Sequence, residues 1–151
     1  MAMLTNKAKY GLKALIYLAG IPAGQTAFVA DVAAANNIPK KFLDQIFSEL
    51  RNAGFVRSKK GPGGGYALAR PATQINIGDA IRSLDGPLAP IACASRTAFC
   101  PCEDCADPQN CAVRLIMLDV RDAISRVLDN TTLSALDARA HIEGKAWAYA
   151  I

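Results

Sequence analysis

The chain is 151 residues long, 52% hydrophobic and 20% charged, which suits one domain with a small appended element and excludes a large multidomain enzyme and a wholly disordered chain. Its formal charge of +4 hides an asymmetry. Residues 1–70 carry ten Lys and Arg against three acids, a net of +7, and the remainder carries seven against ten, a net of −3, so the first half is suited to a polyanion and the second to another task.

The first element reads as a helix. Thr5 is an N-cap, and Ala8, Leu12, Leu15, Ile16 and Ala19 form an apolar stripe ending at Gly20 and Pro22. Lys7, Lys9 and Lys13 before the apolar run Ala14 to Ile21 imitate a secretory leader, but the helical periodicity is the better account. No run reaches the ~18 apolar residues needed to span a bilayer, so no membrane is expected and the cytoplasm is the default. The cysteines are then thiols or ligands rather than disulfides.

Thr26 to Ala35 reads as a short second helix stopped by Asn36-Asn37, and Ile38-Pro39 opens a third. In the third, Phe42, Leu43, Ile46, Phe47 and Leu50 form the apolar stripe, while Lys40, Lys41, Asp44, Gln45, Ser48 and Arg51 face outward. Gly54 ends it. Phe55 to Lys59 and Tyr66 to Ala69 read as strands of a hairpin around Gly61-Pro62-Gly63-Gly64-Gly65. Two helices joined by a tight turn and followed by a basic-tipped hairpin give the order of a winged helix-turn-helix, placed at 1–71.

Residues 72–111 hold a short helix within Ile75 to Leu84, beginning around Gly78-Asp79, and then a cysteine-rich loop. Residues 112–130 read as one long helix with a seam of Val113, Met117, Val120, Ile124 and Val127, spaced 4, 3, 4 and 3, and an outer face of Arg114, Asp119, Arg121, Asp122 and Arg126. At 1.5 Å per residue the periodic stretch Ala112 to Leu128 spans roughly 25 Å, enough to pair with a second copy, so a homodimer is expected. The tail, 131–151, is read as a short helix from Thr132 to Ala140 followed by a loose end. The expected fold class is mainly α with a small β-hairpin wing: a winged helix-turn-helix plus a long dimerisation helix.

Two constellations carry chemistry. The first is basic. The start of the third helix presents Lys40, Lys41, Asp44 and Gln45 to a DNA major groove, where Lys and Gln read base edges and Asp44 accepts from a cytosine amine or pairs locally. At the hairpin tip, Arg57, Lys59 and Lys60 stand beside Gly63 and Gly64, which let the backbone approach phosphate or the minor groove. Double-stranded DNA with a near-palindromic operator is the expected partner. The glycine run is no nucleotide-binding loop, because it lacks the Gly-Lys-Ser or Gly-Lys-Thr ending and a βαβ setting.

The second constellation is Cys93, Cys100, Cys102, Cys105 and Cys111, all five cysteines within nineteen positions. Converging thiolates hold a soft metal. An iron–sulfur cluster ranks first, because it takes cysteine ligands at irregular spacing. Structural zinc prefers paired short spacings and finds only Cys102 to Cys105, and a thiol switch would rest on the same pair. No enzyme is expected: the sole histidine, His141, lies in the weakly patterned tail, and no nucleophile or carboxylate pair can be placed. A small iron–sulfur electron carrier is the alternative of another class, but electron transfer does not require the basic hairpin and helix.

Ile38-Pro39, Phe42-Leu43, Gln45-Ile46, Leu50, Ala53-Gly54 and the run Ser58-Lys59-Lys60-Gly61-Pro62-Gly63-Gly64-Gly65-Tyr66-Ala67-Leu68-Ala69-Arg70 resemble the Rrf-two family of bacterial regulators, with its IscR, NsrR, RirA and BadM branches. The resemblance runs from about Leu4 to Leu128. It implies a homodimeric winged-helix transcription factor, often a repressor, whose cysteine loop binds an iron–sulfur cluster sensing redox state, iron or nitric oxide. By family position Cys93, Cys105 and Cys111 match the three cluster cysteines. Eleven residues separate Cys93 from Cys105, more than in the IscR and NsrR branches, and neither familiar fourth ligand is present: Arg114 and Lys9 stand at those places. Cys102 is the candidate instead, with Cys100 in reserve, and the cluster type stays open between 2Fe-2S and 4Fe-4S. Other members sense a small molecule, a partner protein or thiol oxidation without a cluster.

Overall fold

The computed structural model describes residues 4–150, with side chains through Glu143. Helix α1, Asn6–Ala19, begins as its cap dictates: Thr5 Oγ1 accepts the Ala8 N–H. Its buried residues are Ala8, Gly11, Ala14, Leu15 and Leu18, whereas Leu12, Ile16 and Ala19, expected in the stripe, are half-buried at its edges. The buried face is shifted because α1 is central and packs against α2, α3, α4, α6 and β2. Small residues face the closest approach. A Cβ on Gly11 would lie 2.3 Å from Leu84 Cδ1, so the glycine admits the helix that follows the wing.

Helix α2, Val29–Asn36, and helix α3, Lys40–Asn52, are joined by the expected tight turn. Asn37 takes the left-handed conformation at φ 54°, which Asn tolerates, and the Ile38 N–H returns to the Ala33 carbonyl at 3.0 Å. Pro39 precedes α3 as its cap rather than lying in its first turn. Leu43, Ile46, Phe47 and Leu50 are buried as expected, but Phe42 is 61% exposed.

Strands β1, Val56–Lys59, and β2, Gly65–Leu68, pair antiparallel with Val56 opposite Leu68 and Lys59 opposite Gly65. Three contacts fix the wing to the helices. Ala27 and Tyr66 exchange backbone hydrogen bonds of 2.9 and 2.8 Å, Thr26 Oγ1 donates to the Gly63 and Gly64 carbonyls at 2.8 and 2.7 Å, and the Tyr66 ring stacks on Phe47 at 4.5 Å.

Helix α4, Ile77–Asp85, starts earlier than Gly78-Asp79, because the Asn76 side chain accepts the Asp79 N–H as its cap. Its apolar face, with Ile75 and Leu133, joins α1, α2 and α3 in one core. Helix α5, Ala112–Asp129, is as long as expected. Helix α6, Leu133–Ala150, continues past the expected stop at Ala140. Helix formers predominate there, with Gly144 alone as a breaker, so nothing ends the helix early; Ile151 lies outside the described residues. No helix among the described residues is long and apolar enough to cross a membrane.

Candidate functional site

The first turns of α3 and the wing form an exposed basic face. Lys40, Lys41, Asp44, Gln45, Arg57, Lys59, Lys60 and Gly63 are all exposed, as the sequence reading requires. The side chains do not stand alike. Lys40 Nζ pairs with Asp44 at 3.0 Å, Gln45 Nε2 reaches Glu49 at 3.4 Å, and Lys7 pairs with the same Glu49 at 3.2 Å. Among the described residues Lys41, Arg57, Lys59 and Lys60 enter no ion pair, so their charge is available to a polyanion. Gly64 differs from the reading: it is buried, its N–H goes to the Gly61 carbonyl at 2.9 Å and its carbonyl to Thr26. Any Cβ there would lie 2.5 Å from the Lys59 carbonyl, so Gly64 shapes the turn and Gly63 faces outward. Phe42, expected on the apolar stripe of α3, is exposed, and its ring borders a notch with Asn6, Lys7, Tyr10, Gln45 and Ile46.

The cysteines are distributed along a loop between α4 and α5. Cys93 is buried in a single 3₁₀ turn, Ala92–Ala94, while Cys100 and Cys102 are exposed and Cys105 and Cys111 half-buried. Cys93 Sγ and Cys102 Sγ lie 3.9 Å apart, and hydrogen bonding to Cys93 holds the Cys102 thiol above its ordinary pKa. Two sulfurs bound at 2.3 Å to one tetrahedral ion are separated by about 3.8 Å, so this pair has the spacing of two donors to one metal. The expected set Cys93, Cys102, Cys105 and Cys111 is otherwise not gathered: among the described residues no three His, Cys, Asp or Glu side chains converge as a metal site. Donor chemistry suits an iron–sulfur cluster; the arrangement supplies half of it. Cys111 is the N-cap residue of α5 and its side chain makes no cap hydrogen bond, and the Cys105 N–H donates to the Cys102 carbonyl at 3.1 Å.

Arg114, expected on the outer face of α5, instead faces the loop. Its Nε donates to the Cys93 carbonyl at 2.8 Å, its Nη1 to the Pro108 carbonyl at 3.2 Å, and the guanidinium lies 5.3 Å from the Phe99 ring centroid. One side chain therefore braces both ends of the loop. Asp122 and Arg121 also turn inward: Arg96 from the loop grips Asp122 at 2.8 and 2.6 Å, and Arg121 reaches the same carboxylate at 3.1 Å, which holds it well below the usual carboxylate range. Arg82 of α4 grips Asp129 at 2.7 and 2.8 Å. Asp119 and Arg126 remain outside.

With that face of α5 satisfied by its own chain, the seam is left uncovered. No residue of α5 is buried; Val113, Val120 and Val127 are 61, 37 and 65% exposed, and Met117 and Ile124 are half-buried along the same stripe. Such a stripe on an 18-residue helix suits a second copy.

Residues 4–139 match the family described as Rrf2, iron-dependent transcriptional regulator. An rrf2-like HTH-type transcriptional regulator of Rhodobacter capsulatus is 38% identical over 134 residues, covering 87% of this chain and 89% of that one. The structure of CymR, the global cysteine regulator of Bacillus subtilis, is similar with a TM-score of 0.75 at 36% identity, covering 92% of this chain and 98% of that one. IscR of T. potens is similar with a TM-score of 0.71 at 27% identity, covering 91 and 87%.

Proposed function

This chain belongs to the Rrf2 family of transcriptional regulators, which bind DNA and are not enzymes, and from that premise we propose that it is a cytoplasmic homodimeric repressor whose operator binding is controlled through its cysteine loop. Lys41 and Gln45 address base edges, and Arg57, Lys59 and Lys60 with the Gly63 backbone address phosphate. Two copies paired along Val113, Met117, Val120, Ile124 and Val127 present two recognition helices about 34 to 36 Å apart, which suits a near-palindromic operator.

The observation that carries the control is the double attachment of the loop to α5, through Arg114 to Cys93 and Arg96 to Asp122. A change in the loop's thiols is thereby a change at the dimer helix. The proposed resident group is an iron–sulfur cluster, 2Fe-2S or 4Fe-4S, with Cys93, Cys102, Cys105 and Cys111 as donors. When bound it would supply sensitivity to redox state, iron or nitric oxide. Cys93 and Cys102 have the spacing of two donors to one iron, as in a 2Fe-2S cluster, and Cys105 and Cys111 must close on them; a 4Fe-4S cluster, with one cysteine on each iron, requires the pair to separate. A second reading draws on the same 3.9 Å contact: peroxide oxidation of Cys93 and Cys102 to a disulfide, with two waters formed and no metal.

The test pairs iron, sulfide and visible absorption of anaerobically purified protein with operator affinity. Cys105→Ala and Cys111→Ala are expected to abolish the absorption and to change affinity by about 5- to 150-fold, the range of ordinary allosteric coupling. Equal affinity of the cluster-bearing protein and Cys111→Ala at one salt concentration overturns cluster control. Colourless protein whose affinity changes on peroxide treatment, but not in Cys102→Ser, favours the disulfide.

A further inference from the structure

We propose that Phe42 reads a thymine methyl group in the DNA major groove and is a specificity-determining residue of the recognition helix; this rests on the DNA-binding reading above. Phe42 is the third residue of α3, in the turn that a helix-turn-helix presents to base edges, yet its ring is 61% exposed. A single exposed apolar side chain needs no explanation by itself. Its company does. The polar side chains of the same turns are engaged with one another: Lys40 with Asp44, Gln45 with Glu49, and Glu49 also with Lys7. What projects from this turn without a described polar partner is the Lys41 ammonium, which suits any phosphate or a base acceptor, and the Phe42 ring, which suits neither.

The edges of the four base pairs in the major groove offer donors, acceptors and one apolar group, the C5-methyl of thymine. A phenyl ring gains by covering that methyl and loses nothing by leaving hydrogen-bonding edges to Lys41. The notch beside the ring, lined by Asn6, Lys7, Tyr10, Gln45 and Ile46, leaves the phenyl accessible to an incoming group. The charge around it favours DNA over an apolar partner chain, since unpaired Lys41 stands beside it and the unpaired Arg57, Lys59 and Lys60 stand on the neighbouring wing. Each half-site therefore carries an A·T pair at the position facing Phe42, with its thymine methyl toward the helix.

The experiment replaces thymidines of the bound operator one at a time by deoxyuridine, which removes the methyl and leaves base pairing intact. Wild-type protein is expected to lose about fourfold in affinity at one position per half-site, the worth of one buried methyl group, and about fifteenfold when both half-sites are changed. Phe42→Ala is expected to bind both duplexes alike while keeping its salt dependence. Phe42→Leu, which retains apolar contact, is expected to keep part of the preference and decides the matter should the alanine variant not fold. Equal wild-type affinity for every thymidine and deoxyuridine duplex, or a Phe42→Ala protein that retains the preference, overturns this inference and leaves DNA binding standing. A change of oligomeric mass in Phe42→Ala assigns the ring to a second copy and equally overturns it. Wild-type protein that binds no duplex overturns the DNA-binding reading itself.

Discussion

Replacing Gly65 by Ala tests how the wing is held against the helices. Gly65 sits at φ +120°, which L side chains rarely adopt, and an added Cβ would lie 2.3 Å from the Ala27 carbonyl oxygen and 2.7 Å from its carbon. Both atoms are backbone, so no side-chain rotation relieves the clash. The wing must move away from residue 27, and the paired hydrogen bonds between Ala27 and Tyr66 lengthen with it. Backbone strain of about 1–3 kcal/mol and two weakened hydrogen bonds of about 1 kcal/mol each give a loss of about 3–5 kcal/mol. Gly61→Ala is the matched control: its φ is +89°, but a Cβ there meets nothing within 4 Å, so only strain of about 1–2 kcal/mol remains.

The two variants are compared by thermal unfolding at equal protein concentration, because a dimer's midpoint depends on concentration. For a chain of this size each kcal/mol shifts the midpoint by roughly 2–4 °C, which predicts a fall on the order of 10 °C for Gly65→Ala and about a third of that for Gly61→Ala. The stacking of Tyr66 on Phe47 links the wing to α3, so DNA affinity falls with the wing's displacement in Gly65→Ala. Equal falls in the two midpoints would refute the close-approach argument.

Val120→Asp places a carboxylate in the α5 seam, at a cost of several kcal/mol if that seam is covered by a second copy; sedimentation is expected to show monomer, and a persistent dimer places the interface elsewhere. Asp129 is held down to about 2 by its pair with Arg82 and by Ser125. A folded pKa below the unfolded value of about 3.9 means that the contribution is complete above about pH 4 and is lost as pH falls towards 2. The side chain is 34% exposed, so solvent screening reduces the contribution to about 1 kcal/mol; denaturant unfolding of wild type and Asp129→Asn is expected to differ by that amount at pH 7 and to converge near pH 2, and a gap independent of pH contradicts the pairing. Arg114→Ala frees the Cys93 carbonyl and the Pro108 carbonyl together, so the buried Cys93 thiol is expected to alkylate faster. Arg114→Lys does not restore protection, because one ammonium lacks the planar fork that reaches both. Unchanged alkylation in both variants refutes the bracing role.

Local chemistry made much of this fold legible. Thr5 as a cap, Asn37 in a left-handed turn and the glycine run between two short strands are dictated by neighbouring residues, and each stands where the sequence places it. Periodicity also located α5 to within a residue. What it could not resolve was which of two partners a helix face meets. Arg114, Arg121 and Asp122 read as a solvated surface because they are charged, yet Arg114 meets the Cys93 carbonyl and Asp122 meets Arg96, both far off in sequence, and Arg121 joins the same carboxylate of its neighbour Asp122. Phe42 read as core because it is apolar and adjoins Leu43; being a third of a turn off the buried line, it faces out instead. The cysteines show the same limit, since spacing names five donors but not which sulfurs meet, and only Cys93 and Cys102 are in contact.

In the proposed function, the first turns of α3 and the wing bind duplex DNA through charge left unpaired on Lys41, Arg57, Lys59 and Lys60. The most direct test is the affinity of the dimer for its operator as a function of salt, for wild type and for the Lys59→Ala, Lys60→Ala double variant. Wild-type affinity is expected to fall steeply, by about 10³ or more between 50 and 200 mM if six or more phosphates are contacted. The double variant is expected to weaken binding to all sequences and to reduce the slope of log affinity against log salt by about two. Wild-type binding that does not change over that salt range, or a double variant with an unchanged slope, would contradict the account.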